Sequence, residues 1–255
     1  MKESAQASPS HSGRVVLLVG NFLFRYRNAV FPIVFAPLLI LSPPRPFGGD
    51  WRIDVWSDLA GLAIAASGQL LRILVIGLAY IRRGGKEGRI YADSLVQTGL
   101  FAHSRNPLYL GNMLMIGGLL LVHGNPIAVA IAAPLLLSAY LSITAAEEHF
   151  LAERFGEAYL DYCRRVPRFF PRLTGLSTTV RGMSFNWRKV IRKEYGTLYV
   201  TISLALALLA REIVLQEGGF HRTRALDGLA AAWLAATLGY AVARILKKRK
   251  LLGTD

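Results

Sequence analysis

The sequence predicts an all-α protein, a polytopic bundle of about six transmembrane helices with a pocket at the ends of one helical hairpin. Three observations carry that prediction. The 255-residue chain is 53% hydrophobic with a mean hydropathy of +0.37, and its apolar residues collect in runs long enough to cross a bilayer. The Lys and Arg residues, which give a net charge of +14, cluster mostly between those runs. Polar motifs gather where two neighbouring runs begin and end. A basic surface for nucleic acid would need its charges on one polar face; here they mark membrane loops, and no nucleic-acid partner is expected.

The apolar runs are 28–44, 57–81, 107–123, 126–147, 196–216 and 226–246, each near the roughly 20 residues of a membrane span. The first is strictly apolar only from Ala29 to Leu41. Residues 1–27 are read as a disordered tail or, over Val15–Phe24, as an interfacial helix; no small-residue cleavage pattern marks a signal peptide. His123-Gly124-Asn125-Pro126 can only be a tight turn, so the third and fourth runs form an antiparallel hairpin. The organisation that follows is a tail (1–27), two spans (28–81), a central core around the hairpin (82–172), and a basic linker with two further spans (173–255).

Basic residues set the expected orientation. Arg82, Arg83, Lys86, Arg89 and Arg105 fall in one loop, ten Lys and Arg in 148–195, and Lys247-Lys248-Arg249-Lys250 in the tail. Six spans with both termini cytoplasmic satisfy every loop. These loops also suit anionic lipid headgroups as partners. The single cysteine, Cys163, excludes an intrachain disulfide and a cysteine-based metal cluster, and no metal site is expected. Single-cysteine usage and a compact chain suggest a bacterial inner membrane. Near the outer end of the fifth run, Arg211-Glu212 reads as a local pair.

The polar motifs flank the hairpin on its cytoplasmic side. In HSRNPLYLGN (103–112), Pro107 suits the first helical position and Asn106 the N-cap, leaving free N–H groups and the helix dipole beside Arg105 for an anion. Glu147-Glu148 closes the other apolar run. Carboxylates at a helix C-terminus oppose its dipole, so a cation is expected beside them. That cation is either Arg105 or Arg154 in a structural network, or the ammonium of a ligand. An amino-acid headgroup, with ammonium and carboxylate, would bridge Glu147 and the capped helix start. Around the same zone Phe101, Tyr109, Phe155, Tyr159 and Tyr162 serve as interfacial anchors or as surfaces for a purine or a sulfonium.

Leu95-Val96-x-x-Gly99 followed by Arg105-Asn106-Pro107-x-Tyr109-x-Gly111, the loop Asn125-Pro126-Ile127, and Glu147-Glu148 with Phe155-Gly156-Glu157-x-Tyr159-x-x-Tyr162 and Arg165-Val166-Pro167 resemble the isoprenylcysteine carboxyl methyltransferases and the related phospholipid methyltransferases. The likeness covers about residues 86–172. It implies an integral membrane methyltransferase using S-adenosyl-L-methionine. By position, the cofactor site would comprise Asp93, Ser94, Leu95, Val96, Phe101, Asn106, Pro107, Leu108, Tyr109 and Glu147. Arg105, Tyr109 and Glu148 are the candidate catalytic residues; Glu148 or His149 would act as base for an amine or hydroxyl acceptor, whereas a carboxylate acceptor needs none. A lipophilic acceptor, isoprenylcysteine-like or lipid, would enter from the membrane. Two departures stand out. Asn106 replaces the His usual before this proline, and Ile143 stands where the prenylcysteine enzymes place a substrate-facing Arg. The alternatives are an NADPH-dependent enzyme similar to membrane sterol reductases around the Arg-x-Pro-x-Tyr motif, and a catalytically silent scaffold or transporter subunit.

Overall fold

The computed structural model describes residues 11–44, 51–78, 83–86, 89–217, 219–220 and 222–253. Eight helices and one small hairpin follow in order: α1 (His11–Leu41), α2 (Trp51–Leu78), β1 (Arg83–Lys86) and β2 (Arg89–Ala92), a 3-10 turn (Gly99–Ala102), α3 (Pro107–Val122), α4 (Pro126–Phe155), α5 (Glu157–Arg165), α6 (Leu176–Arg181), α7 (Trp187–Gln216) and α8 (Arg224–Lys248). Five of them, α1, α2, α4, α7 and α8, are long and apolar enough to cross a membrane. The protein is an integral, multi-pass membrane protein.

Several expected boundaries move, each for a physical reason. Residues 1–10 lie outside the described residues, but from His11 the expected tail and interfacial helix form one continuous α1. The Arg25-Tyr26-Arg27 triplet does not break it, because Arg27 donates to the Phe24 carbonyl at 3.0 Å and lies 4.5 Å over the Phe24 ring. Pro43-Pro44 ends the helix at Leu41 rather than at residue 44. The end of the second expected run, 79–81, lies outside the described residues. The third run is a 16-residue helix, about 24 Å long and short of a hydrocarbon core of about 30 Å. The fourth continues eight residues past Glu147 to Phe155 and stops at Gly156, whose φ is +55°. Glu147 and Glu148 are therefore two turns from the helix end, and a clash with the helix dipole is not what calls for their partners. The β1–β2 hairpin, with Arg83 opposite Ala92 and Lys86 opposite Arg89, has no counterpart in the sequence reading.

The α3–α4 turn forms as the sequence requires. Gly124 takes φ +66°, and the Asn125 side chain accepts from the Ile127 and Ala128 N–H groups, both at 3.0 Å. Its amide also donates to the Pro43 carbonyl at 2.6 Å, which ties the turn to the end of α1. Arg211 does not pair locally with Glu212. It donates to the carbonyls of Leu39, Ile40 (3.0 Å) and Ser42 (3.2 Å), joining α7 to α1.

Within the bundle α3 packs chiefly on α2 and α4 chiefly on α1. Small residues make the first contact possible: a β-carbon on Gly118 would come within 2.4 Å of the Gly61 carbonyl oxygen, and one on Gly68 within 2.5 Å of that of Gly111. Because the two pairs separate on either side of the hairpin, a space opens between them. α7 forms another wall of it.

Candidate functional site

That space is a cavity of about 700 Å³, within the usual range of about 300–1,000 Å³ for small-molecule sites. At its motif end it is lined by Phe101, Asn106, Pro107, Leu108, Tyr109 and Glu147. Further along, Met115, Ile116 and Leu119 of α3, Phe31 and Pro32 of α1, and Val200 and Leu204 of α7 make it apolar. Six of the ten residues expected around a cofactor thus share one surface.

The motif end is held by a backbone zipper between two segments far apart in sequence. Arg105 N donates to Pro167 O at 2.9 Å, Asn106 N to Arg168 O at 3.1 Å, and Arg172 N to His103 O at 2.9 Å. Ser104 Oγ adds a bond to Phe169 O at 2.7 Å. These bonds bring the Arg-Asn-Pro and Arg-Val-Pro motifs together. Tyr162, fully buried, donates its hydroxyl to Phe101 O at 2.7 Å and so fixes the 3-10 turn that carries the Phe101 ring into the cavity.

Pro107 occupies the first turn of α3, as expected, but Asn106 does not cap it with its side chain. The Asn106 amide instead donates to Arg168 O at 3.2 Å and to Glu148 Oε1 at 3.4 Å. The first-turn N–H of Tyr109 is satisfied by the Asn106 carbonyl at 3.1 Å. The anion site expected beside Arg105 is thereby replaced by a structural knot. Arg105 Nη1 lies 3.0 Å from Glu148 Oε1 and 2.8 Å from Cys163 Sγ, while Arg168 Nη2 holds Glu148 Oε2 at 2.6 Å. Burial works against the Arg105 charge, but Glu148, Cys163 and Tyr159 outweigh it and hold the guanidinium above its ordinary value. Burial, then Glu148 and Cys163, push the neighbouring Tyr159 phenol well up, so it stays neutral.

The two adjacent glutamates therefore part company. Glu148 faces the knot, and Glu147 faces the cavity. Glu147 is 6% exposed and accepts from the Tyr109 hydroxyl at 2.9 Å. The Tyr109 ring lies 5.7 Å from that of Tyr140, which is 5.5 Å from Phe31. A carboxylate set among aromatic faces suits a cationic ligand group. His149 sits outside this surface, 3.2 Å from Glu153.

Four expected cofactor residues do not line the cavity. Asp93 is exposed and accepts from the Tyr91 hydroxyl; Ser94 beside it is half-buried. Leu95 packs with Leu151, Tyr159 and Tyr162, and Val96 packs beneath Phe101 and Val75. Leu95 and Val96 support the wall from behind.

The sequence reading missed a polar group deeper in the cavity. Arg72 of α2 and Asn112 of α3 both line it. Arg72 pairs with the buried Glu194 of α7 through Nη2 at 2.6 Å and Nε at 2.9 Å, and donates to Asn112 Oδ1 at 2.5 Å. Gln69 donates to the same Glu194 at 3.1 Å. Gln69 and Arg72 inside an apolar run were the available signal, since ionisable groups in a span mark function or a partner. Arg27 of α1 also lines the cavity.

The phospholipid methyltransferase family model matches residues 58–158. The cobalt-zinc-cadmium resistance protein CzcN of Cupriavidus metallidurans is 32% identical over 186 residues, covering 70% of this chain and 81% of that protein. The protein-S-isoprenylcysteine O-methyltransferase of Rattus norvegicus is 30% identical over 135 residues, 51% of this chain and 46% of that enzyme. An Arabidopsis thaliana protein-S-isoprenylcysteine O-methyltransferase B is 29% identical over 119 residues, 46% of this chain and 60% of its own length. No solved structure matches.

Proposed function

The chain belongs to the superfamily of membrane methyltransferases that includes the phospholipid and isoprenylcysteine methyltransferases, and from that premise we propose that it transfers a methyl group from S-adenosyl-L-methionine to a lipophilic acceptor. The observation that carries this reading is one continuous cavity with a buried carboxylate among aromatic rings at the motif end and apolar walls from α1, α3 and α7 beyond it.

The donor set fits the cofactor. Glu147, positioned by the Tyr109 hydroxyl, receives the ammonium of the amino-acid end. Phe101 and Tyr109 offer faces to the purine or sulfonium. Asn106 and Pro107 shape the floor. The bound cofactor supplies an electrophilic methyl group. The chain's own work is to hold both reactants in line and to exclude water, because such a displacement depends on alignment more than on proton transfer. Arg105 and Glu148 act from behind the cavity, joining the segments that carry Asn106 and Glu147. We read this end as the cytoplasmic one from the basic residues of its loops, which would also suit anionic headgroups.

Calorimetry on the detergent-purified protein tests the reading. Binding of S-adenosyl-L-methionine but not NADPH is expected. NADPH binding alone would assign it to the reductase-like alternative, and neither binding would favour a scaffold. Methyl-labelled cofactor added to membranes then identifies the acceptor fraction.

The names of two relatives, CzcN and the nickel-cobalt-cadmium resistance protein NccN of Alcaligenes xylosoxydans xylosoxydans, favour a second reading at the level of the cell: a contribution to metal resistance. Growth at raised cobalt, zinc or cadmium with the wild-type chain, or with its Glu147→Gln variant, tests this and shows whether the cavity is required.

A further inference from the structure

Arg27 is the cation that the cofactor reading leaves over. It stands in the middle of α1, 16 residues from His11 and 14 from Leu41, so that about 21 Å of helix separates it from the nearer end. An ionisable side chain so deep in a candidate span calls for a partner. Among the described residues no carboxylate supplies one. Arg27 donates to the carbonyl of Phe24 at 3.0 Å and stacks on that residue's ring, which leaves most of its five N–H donors unused. Arg72 differs, for Glu194 and Asn112 already occupy it. The two arginines line the same cavity, as does Tyr140.

The charges around the cavity can be balanced group by group. Glu194 neutralises Arg72, and Glu147 faces the ammonium of the cofactor. The sulfonium balances the cofactor's own carboxylate, so Arg27 stays unmatched. A base is missing as well: Glu148 is held between Arg105 and Arg168, and His149 lies off the cavity against Glu153. An acceptor that must lose a proton is poorly served here. One that arrives already anionic meets a free guanidinium.

Resting on the methyltransferase reading, we propose that Arg27 determines acceptor specificity by receiving an anionic oxygen group, carboxylate or phosphate, at the head of a lipophilic acceptor. It would do from α1 what Ile143, buried on α4, cannot do. In the reaction the acceptor oxygen forms the new O–CH3 bond, the S–CH3 bond breaks with its electron pair going to sulfur, and no proton is transferred. Phe24, Phe31 and Pro32 flank Arg27 on α1 and give the acceptor chain an apolar wall.

The test uses cis-parinaric acid, a conjugated lipophilic acid that fluoresces when buried, and its neutral methyl ester, on the full chain in detergent. Wild type should bind the acid at least tenfold more tightly than the ester. Arg27→Gln should lose that preference and Arg27→Lys should keep most of it. Displacing the acid with oleate and with lysophosphatidate separates the two head groups: the stronger competitor names the class, and failure of both overturns the proposal. Equal binding of acid and ester by wild type, or an unchanged preference in Arg27→Gln, also overturns it. S-adenosyl-L-methionine affinity is measured on the same samples. Its loss in wild type would defeat the methyltransferase reading, whereas its retention in a variant that no longer prefers the acid isolates the effect to Arg27.

Discussion

Replacing Glu147 with Gln removes a charge while keeping nearly the same shape. In the structure the Glu147 carboxylate is 6% exposed and accepts from the Tyr109 hydroxyl at 2.9 Å. The amide oxygen can still accept from Tyr109, so the local packing survives; what is lost is the charge-assisted bond to the ligand ammonium. Hydrogen bonds to charged groups contribute about 1.5–3 kcal/mol, and each 1.4 kcal/mol is about tenfold in affinity. S-adenosyl-L-methionine binding should therefore weaken by about ten- to a hundredfold. Titration calorimetry on the detergent-purified variant measures this, with thermal melting as the check on folding. Unchanged affinity in a variant that melts like wild type would remove Glu147 from the cofactor site. Tyr109→Phe provides the graded comparison. It deletes one neutral donor and should cost less, about 0.5–1.5 kcal/mol.

Other perturbations probe the framework and the chemistry. Glu194→Ala leaves Arg72 buried without its counter-charge and should destabilise the protein by about 3–5 kcal/mol; the double replacement of Arg72 and Glu194 by Met should recover most of that in a melting experiment. Gly118→Ala forces a β-carbon to within 2.4 Å of a backbone oxygen of α2 and should cost about 1–3 kcal/mol. Its neighbour Gly117 has nothing within 4 Å of an added β-carbon, so Gly117→Ala should be neutral or stabilising by up to about 1 kcal/mol. With a carboxylate acceptor, and with Glu147 taken up by the cofactor ammonium, the rate of methyl transfer should be flat between about pH 6 and 9, above the ordinary range of a carboxylic acid near 4. A log-linear rise in rate with pH would show that an acceptor proton is being removed.

Much of this was legible in the sequence because membrane structure leaves few choices. Apolar runs must be helices, and a four-residue turn between two of them must make a hairpin, which brings Tyr109 and Glu147 to the same end. The division of labour between Glu147 and Glu148 was not legible. It depends on which side of α4 each carboxylate faces once the helix continues to Phe155, and on Arg168, whose approach follows from a backbone zipper with no sequence signature. Asn106 misled for a related reason. An Asn before Pro is a good cap in isolation, but the neighbouring carbonyl of Arg168 and the Glu148 carboxylate compete for its amide. Arg27 was hidden by its neighbours, because Arg25-Tyr26-Arg27 reads as the basic edge of a membrane anchor until α1 is seen to run on through it for 14 more residues.

The arrangement also separates two problems that a membrane methyltransferase must solve together. Phe101, Asn106, Pro107, Tyr109 and Glu147, all inside the family-matched segment 58–158, form the end proposed for the cofactor. Arg27, Phe31 and Pro32 from α1, and Val200 and Leu204 from α7, lie outside that segment and form the opposite walls. Alignment of the reacting atoms couples the two ends, yet side chains on α1 and α7 can change without disturbing the bonds that hold Glu147 and Phe101. On this reading the flanking helices choose the acceptor while the hairpin keeps the methyl donor. That also accounts for an Arg that is absent at Ile143 but present, from another helix, at Arg27.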